Sequence, residues 1–278
     1  MSSNNQQRVS EDTRPSQTAY LADLPRTARL ADTVKGVFGA LIIAILANTL
    51  IFKPYFIPSG SMIPSLEIGD YLFVTKYPYG YSRYSLPFDA NLFSGRIFAG
   101  QPRRGDIVVF KSPADQQTNV IKRLIGLPGD TIELRSENLF INGKLADLKA
   151  VPGGRHFDAQ LKSVVETYTE TLPNGFSHRI QQALDRPLNQ NFPQCPDRQE
   201  RCVYTVPAGF YFVLGDNRDN SLDSRVPASM GGVGALPDAN LIGRAELIFF
   251  SSDGTATRWK PWTWISSIRF SRLFECVS

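Results

Sequence analysis

Two side chains set the chemistry open to this sequence: Ser61, within Pro58-Ser-Gly-Ser-Met62, and Lys122, within Val120-Ile-Lys-Arg-Leu-Ile-Gly126. A serine hydroxyl near its ordinary pKa is a poor nucleophile, so it needs a base and a site for the oxyanion. Gly60 lets the backbone turn sharply or lets a substrate come close to it. Ser59 projects to the same side as Ser61 if the segment is extended. Taken alone, this stretch also fits a plain linker after a hydrophobic segment. In a strand of period 2, Val120, Lys122 and Leu124 share one face, and Ile121, Arg123 and Ile125 share the other. Each face carries one basic residue, so periodicity leaves open which of them is buried. Only the lysine can act as a base, because arginine stays protonated in any environment. Lowering a lysine pKa by about 2 to 3 units costs roughly 3 to 4 kcal/mol, within what burial supplies. A solvated lysine on an edge strand is the plainer alternative.

A third stretch, Gly215-Asp-Asn-Arg-Asp-Asn-Ser-Leu-Asp-Ser-Arg225, follows the apolar run Phe210-Tyr-Phe-Val-Leu214. Its carboxylates and arginines alternate, which suits a self-paired polar network beside a site. A calcium loop is disfavoured, since Arg218 sits among the would-be ligands and the central glycine is missing. Each acid has an arginine nearby, so none reads as a general acid with a raised pKa. An ordinary surface turn fits as well.

The elements that would carry these residues are mostly strands. Tyr71 to Lys76, Asp106 to Lys111, Val120 to Ile125, Thr131 to Leu134, Leu139 to Ile141, Phe210 to Leu214 and Leu241 to Phe250 are short and rich in Val, Ile and Phe. Most are bounded by Gly, Pro or Asn. Phe140-Ile-Asn-Gly-Lys144 has the spelling of a hairpin turn. Between about 145 and 202 the pattern loosens into what reads as a smaller inserted β region. The fold class expected is therefore mostly β: an antiparallel core from 54–144 and 203–255 with that insertion.

Residues 1–35 are polar and aperiodic, the mark of a disordered tail. Gly36 to Phe52 is uncharged and flanked by Lys35 and Lys53. At 1.5 Å per residue it spans roughly 25 Å, enough for one transmembrane helix over 36–53 if both lysines snorkel. Arg26, Arg29 and Lys35 lie ahead of it, so the tail is expected in the cytoplasm and the rest across the plasma membrane. A buried soluble helix and a cleaved leader are the competing readings. At 256–278, Trp259, Trp262 and Trp264 are followed by Arg269 and Arg272. That composition suits a membrane interface with anionic headgroups, or a tail packed on the protein's own surface.

Composition narrows the remaining classes. The chain has 278 residues and a net charge of +4 with its basic groups scattered, so no nucleic-acid footprint is present. His156 and His178 leave few candidates for a Ser-His-Asp triad. Cys195, Cys202 and Cys276 lack the paired spacing of zinc ligands, so no metal and no cofactor are expected. Cys195 and Cys202 are candidates for a local disulfide if they lie outside the cytoplasm. No feature points to an oligomeric state.

These stretches, together with Ile68-Gly-Asp-Tyr-Leu-Phe-Val-Thr-Lys76, Arg104-Gly-Asp-Ile-Val-Val-Phe110 and Gly126-Leu-Pro-Gly-Asp130, resemble bacterial type I signal peptidase in spelling and order. The resemblance covers roughly 54 to 135 and 203 to 250. It implies a membrane-bound endopeptidase that removes signal peptides after Ala-x-Ala, with Ser61 as nucleophile and Lys122 as general base. It further implies that Ser59 and the Ser61 amide form an oxyanion hole. Ser221 would orient Lys122, and Asp223 and Arg225 would form a supporting ion pair. Ile57, Pro58, Met62, Leu66, Leu72, Val109 and Ile121 would line shallow pockets for small side chains. Val226-Pro-Ala-Ser-Met-Gly-Gly232 departs from the family's usual Trp-Gly after the last motif. Three alternatives stand beside this reading: a peptidase dedicated to one substrate such as a conjugative pilin, a non-catalytic tethered β scaffold, and a self-cleaving Ser/Lys repressor, against which the hydrophobic segment argues.

Overall fold

The runs rich in Val, Ile and Phe become strands, and every pairing between strands is antiparallel. The computed structural model describes residues 26–86, 95–135, 138–159, 161–188, 192, 201–257, 259–260 and 262–277. In chain order the strands are β1 (Phe52–Phe56), β2 (Asp70–Thr75), β3 (Ile107–Lys111), β4 (Asn119–Gly126), β5 (Thr131–Arg135), β6 (Asn138–Ile141), β7 (Lys144–Leu145) and β8 (Asp147–Asp158). They continue as β9 (Ser163–Thr171), β10 (Ser177–Ala183), β11 (Cys202–Thr205), β12 (Phe210–Leu214), β13 (Leu236–Pro237), β14 (Leu241–Ser251) and β15 (Glu275–Cys276). The large sheet runs β1-β2-β14-β3-β4-β12-β13, with β15 added on β14. A four-stranded sheet runs β11-β5-β6-β7, and a three-stranded sheet runs β10-β9-β8. The looser stretch from 145 to 202 thus holds a sheet of its own.

Alternation explains how the large sheet separates two cores. Along β3, Ile107 and Val109 enter a cluster with Ile57, Met62, Leu66 and Leu72, whereas Val108 and Phe110 enter another with Leu124, Val213 and Leu241. A third core joins Ile125 and Phe212 to Ile132, Leu134 and Ile141 of the four-stranded sheet. The expected hairpin joins β6 to β7, with Asn142 and Gly143 both at positive φ as its turn requires. Cys202 is disulfide-bonded and Cys276 is free, while Cys195 lies outside the described residues.

A helix, α1, covers Arg26–Leu50. The limits of 36–53 are therefore corrected: helix begins earlier, and Phe52 and Lys53 already belong to β1. Pro54 explains the early stop, since it cannot continue a helix and holds the residue before it extended. Among the described residues no helix is long and apolar enough to cross a membrane.

The C-terminal stretch is also corrected in part. A short helix, α2 (Trp262–Ser266), is followed by β15 on the large sheet. Arg272 places Nη2 2.7 Å from Asp70 Oδ2, and Arg269 donates to the Ile68 carbonyl at 2.9 Å. These arginines fasten the tail to the 65–70 loop, because the buried carboxylate of Asp70 requires a cation. They are not spread out for headgroups. The tryptophans Trp259, Trp262 and Trp264 remain exposed.

Candidate active site

The loop from Ile57 to Gly69 leaves β1 and is closed at its neck by reciprocal hydrogen bonds. Ile57 N–H donates to Asp70 O at 2.9 Å, and Gly69 N–H donates to Ile57 O at 3.0 Å. Ser61 lies within this loop, pinned from below because Met62 and Leu66 are fully buried in the core. Lys122 comes from the middle of β4. Its Nζ lies 2.7 Å from Ser61 Oγ and donates to its neighbour's carbonyl, Ile121 O, at 2.9 Å. Both side chains belong to buried residues, Ser61 at 8% and Lys122 at 4% exposure.

The question that periodicity left open has a double answer. Lys122 and Arg123 are both buried, on opposite faces of β4. Arg123 is neutralised by a two-pronged pair with Asp216, at 2.8 and 2.7 Å. Lys122, by contrast, has no ion-pair partner among the described residues. Burial therefore dominates its proton affinity. It pushes the lysine down to about 8, against the opposing pull of Asp223 and Asp216.

The 215–225 stretch stands against this pair, and its internal pairing is simpler than its spelling suggests. Asp223 and Arg225 do form the expected ion pair, at 2.8 Å. Burial works to raise Asp223, but Arg225 outweighs it and holds the carboxyl below its usual range. The other charges reach outward: Asp216 to Arg123 of β4, and Arg218 to Glu170 of β9. A planar guanidinium needs a carboxylate facing its fork, and neighbours in a tight turn rarely supply that geometry. Asp223 also accepts from Gly215 N–H at 3.0 Å. Gly215 has no room for a side chain, since a Cβ there would fall 2.6 Å from Ser61 O and against Ser221 Oγ.

The expectation for Ser221 is corrected. Its hydroxyl is buried over Gly215 but has no hydrogen-bond partner, so it does not hold Lys122 here. Ser61 Oγ and the Ile121 carbonyl occupy the Nζ position's neighbours instead. Ser59 is exposed beside Ser61, and no described group accepts from the Ser61 amide. Both donors are therefore available to a developing oxyanion.

A cavity of about 560 Å³ opens onto the pair. Two backbone segments flank it, one from Lys53 to Ser59 and the other from Thr118 to Lys122. Ile57, Pro58, Val109 and Ile121 line it as expected of pocket residues. Met62, Leu66 and Leu72 do not reach it. They are wholly buried beneath, where their side chains fill the core that supports the loop.

Two residues of this neighbourhood, Asn217 and His178, were given no role at the site from the sequence. Asn217 donates its backbone N–H to Ser61 O and its side-chain Nδ2 to Gly60 O, both at 3.1 Å. His178, distant in sequence, sits buried with Nε2 3.3 Å from Glu170 and 3.8 Å from Asp216. Burial and the charge of Arg123 push His178 below its usual pKa, against the opposing pull of Glu170 and Asp216. Asn217 could have been found, because it lies inside the polar motif. No local signal marks His178 or Glu170.

The family described as signal peptidase, peptidase S26, matches residues 30–250. The chain belongs to this family. Signal peptidase I of Rickettsia prowazekii (strain Madrid E) is 41% identical over 87% of this chain and 94% of its own. Signal peptidase I of Rickettsia typhi (strain ATCC VR-144 / Wilmington) is 40% identical, again over 87% and 94%. A crystal structure of a signal peptidase I from Enterococcus faecalis V583 matches at 29% identity and a TM-score of 0.29. That match covers 52% of this chain and 96% of the other. Members of the family are serine endopeptidases, and family membership supports cleavage of signal peptides as the activity of this chain.

Proposed function

We propose that the protein is a membrane-tethered endopeptidase that cleaves signal peptides from exported preproteins by way of an acyl-enzyme on Ser61. The observation that carries this reading is the 2.7 Å approach of Lys122 Nζ to Ser61 Oγ within a buried site lacking a carboxylate partner for the lysine. In the neutral form, Nζ accepts the Ser61 proton as Oγ attacks the scissile carbonyl carbon. The oxyanion then meets the Ser61 amide and the Ser59 hydroxyl. The Lys122 ammonium returns its proton to the departing amine, leaving an ester on Ser61. Lys122 next deprotonates a water that attacks the ester, which frees the acid product and restores the serine. No metal or cofactor enters any of these steps.

The apolar lining of Ile57, Pro58, Val109 and Ile121 favours small uncharged side chains ahead of the cleaved bond, in keeping with an Ala-x-Ala preference. The tether is α1. Val37, Phe38, Leu41, Ile43 and Leu46 are all exposed in its C-terminal part from Gly36 onward, and a segment apolar on several faces calls for lipid or a protein core. Arg26, Arg29 and Lys35, in the first turns of α1 ahead of that apolar segment, favour a cytoplasmic N-terminus and an extracytoplasmic active site. A second apolar surface supports contact with the bilayer: Phe56, Ile68, Tyr71, Phe250 and Trp264 surround a groove of about 600 Å³.

The test is cleavage of a purified preprotein by the full-length chain in detergent, with Ser61→Ala and Lys122→Arg run alongside. Both variants are expected to stay folded and to process nothing. Turnover by a folded Ser61→Ala protein removes the nucleophile, and turnover by Lys122→Arg removes the base, since arginine cannot deprotonate. Cleavage of one preprotein among many unrelated ones would move the reading to a dedicated maturation peptidase.

A further inference from the structure

Outside the dyad, a buried polar brace joins the three-stranded sheet to the 215–219 loop. From β9, Glu170 Oε2 meets Arg218 Nη2 at 2.6 Å, with both side chains about 1% exposed. From β10, Gln181 N–H donates to Asp216 O at 2.8 Å, and Gln181 O accepts from Arg218 N–H at 2.9 Å. At the strand's end Ala183 N–H donates to Asp219 Oδ2 at 2.7 Å. The loop residue enclosed by these contacts is Asn217, which forms a parallel bridge with Gln181. Asn217 in turn holds the carbonyls of Gly60 and Ser61. A continuous set of hydrogen bonds thus runs from the inserted sheet to the backbone of the nucleophile.

Burying an arginine and a glutamate together strips both ions of water and is weak evidence for stability. Such a pair does fix where the two segments sit, because either partner alone would be an uncompensated buried charge. Oε1 of Glu170 and Nε of Arg218 have no hydrogen-bond partner, so the contact at 2.6 Å is the one direct side-chain hydrogen bond between these two residues. No residue of β9 or β10 lines the cavity beside Ser61 and Lys122.

We propose that Glu170 is a positioning residue for Ser61, and that the inserted sheet aligns the nucleophile through Arg218 and Asn217. The proposal rests on the reading of Ser61 as nucleophile. Replacing Glu170 by glutamine leaves the Arg218 charge without its counterpart and lets the 216–219 loop shift toward water. A misplacement of about 1 Å at the reacting atoms costs on the order of 10²-fold in rate.

The experiment measures kcat and KM of the full chain on a signal-peptide substrate, normalised to the folded fraction from thermal unfolding. Glu170→Gln is expected to lower kcat by roughly 10²-fold with KM within about twofold. The Asn217 amide is expected to exchange its hydrogen faster. Glu166→Gln, which breaks the exposed pair with Arg155 on the same sheet, is expected to leave both constants unchanged. An unchanged kcat in folded Glu170→Gln overturns the proposal, and so does a rise in KM alone. If Glu170→Gln does not fold, Asp219→Ala decides, since Asp219 is only part-buried and its removal releases the Ala183 clamp. A lower kcat with KM held is expected there, and wild-type kcat refutes the idea. Activity in Ser61→Ala would instead refute the nucleophile itself, so the two failures are told apart.

Discussion

The proton affinity of Lys122 makes the sharpest prediction. An exposed lysine releases its proton near 10.5, whereas burial pushes this one down to about 8. A drop of that size corresponds to roughly 3 kcal/mol of disfavour for the ammonium, within the range that desolvation supplies to a buried lysine. Asp223 and Asp216 pull the other way, but neither makes an ion pair with Nζ, and each is neutralised by an arginine. At pH 7 the neutral fraction is then about 9%, against about 0.03% for an unperturbed amine, a gain of roughly 300-fold in competent enzyme. The sign follows directly: the base works only when unprotonated, so acylation accelerates as pH rises and levels off above the lysine's pKa. The assay is kcat/KM for a peptide substrate from pH 5 to 10, in the free-enzyme regime where the profile reports the unliganded enzyme. One ascending limb centred near pH 8 is the expected result. A limb near 6.5 would assign the base to a histidine, and one near 10.5 would mean that Lys122 is solvated. Either outcome refutes the reasoning.

Two further outcomes follow from local packing. Gly215→Ala would drive a methyl group into the Ser61 carbonyl and the Ser221 hydroxyl, so kcat should fall by on the order of 10²-fold while the sheet's thermal unfolding shifts far less. Alanine at both Trp262 and Trp264, each more than half exposed, should weaken binding of the protein to anionic vesicles while leaving hydrolysis of a short soluble peptide unchanged. Unaltered vesicle binding would assign those rings to the protein's own surface.

Much of the fold could be read from the chain because its strands carry a clear local signal. Strand β12 occupies Phe210–Leu214 as expected, and β3, β4 and β14 differ from expectation by a residue at their ends. Ser61 and Lys122 were legible as residue types, but their meeting was implied only by the family resemblance and not by periodicity, since a loop after β1 and the middle of β4 are joined only by the sheet order. The three residues misread as pocket lining show the limit of apolar pattern. Met62, Leu66 and Leu72 look like Ile57 and Ile121 in sequence, and only the packing decides which apolar side chains face inward. The same holds for charge. Arg269 and Arg272 have the composition of a headgroup-binding tail, yet the buried Asp70 claims Arg272, and Glu67 and Ile68 engage Arg269. Arg218 was read as part of a self-contained network, whereas its partner Glu170 comes from a separate sheet. Long-range ion pairs leave no periodicity to detect.

The covalent step can be observed directly. Full-length protein is mixed with an Ala-x-Ala signal-peptide substrate, quenched in acid within the first turnover, digested and mapped by mass spectrometry. The expected species is an ester that joins the substrate's new carboxyl terminus to Ser61, present in the wild type and absent from Ser61→Ala and Lys122→Ala. Cleaved product without any such ester, or an ester on a different side chain, contradicts the assignment of Ser61 and Lys122.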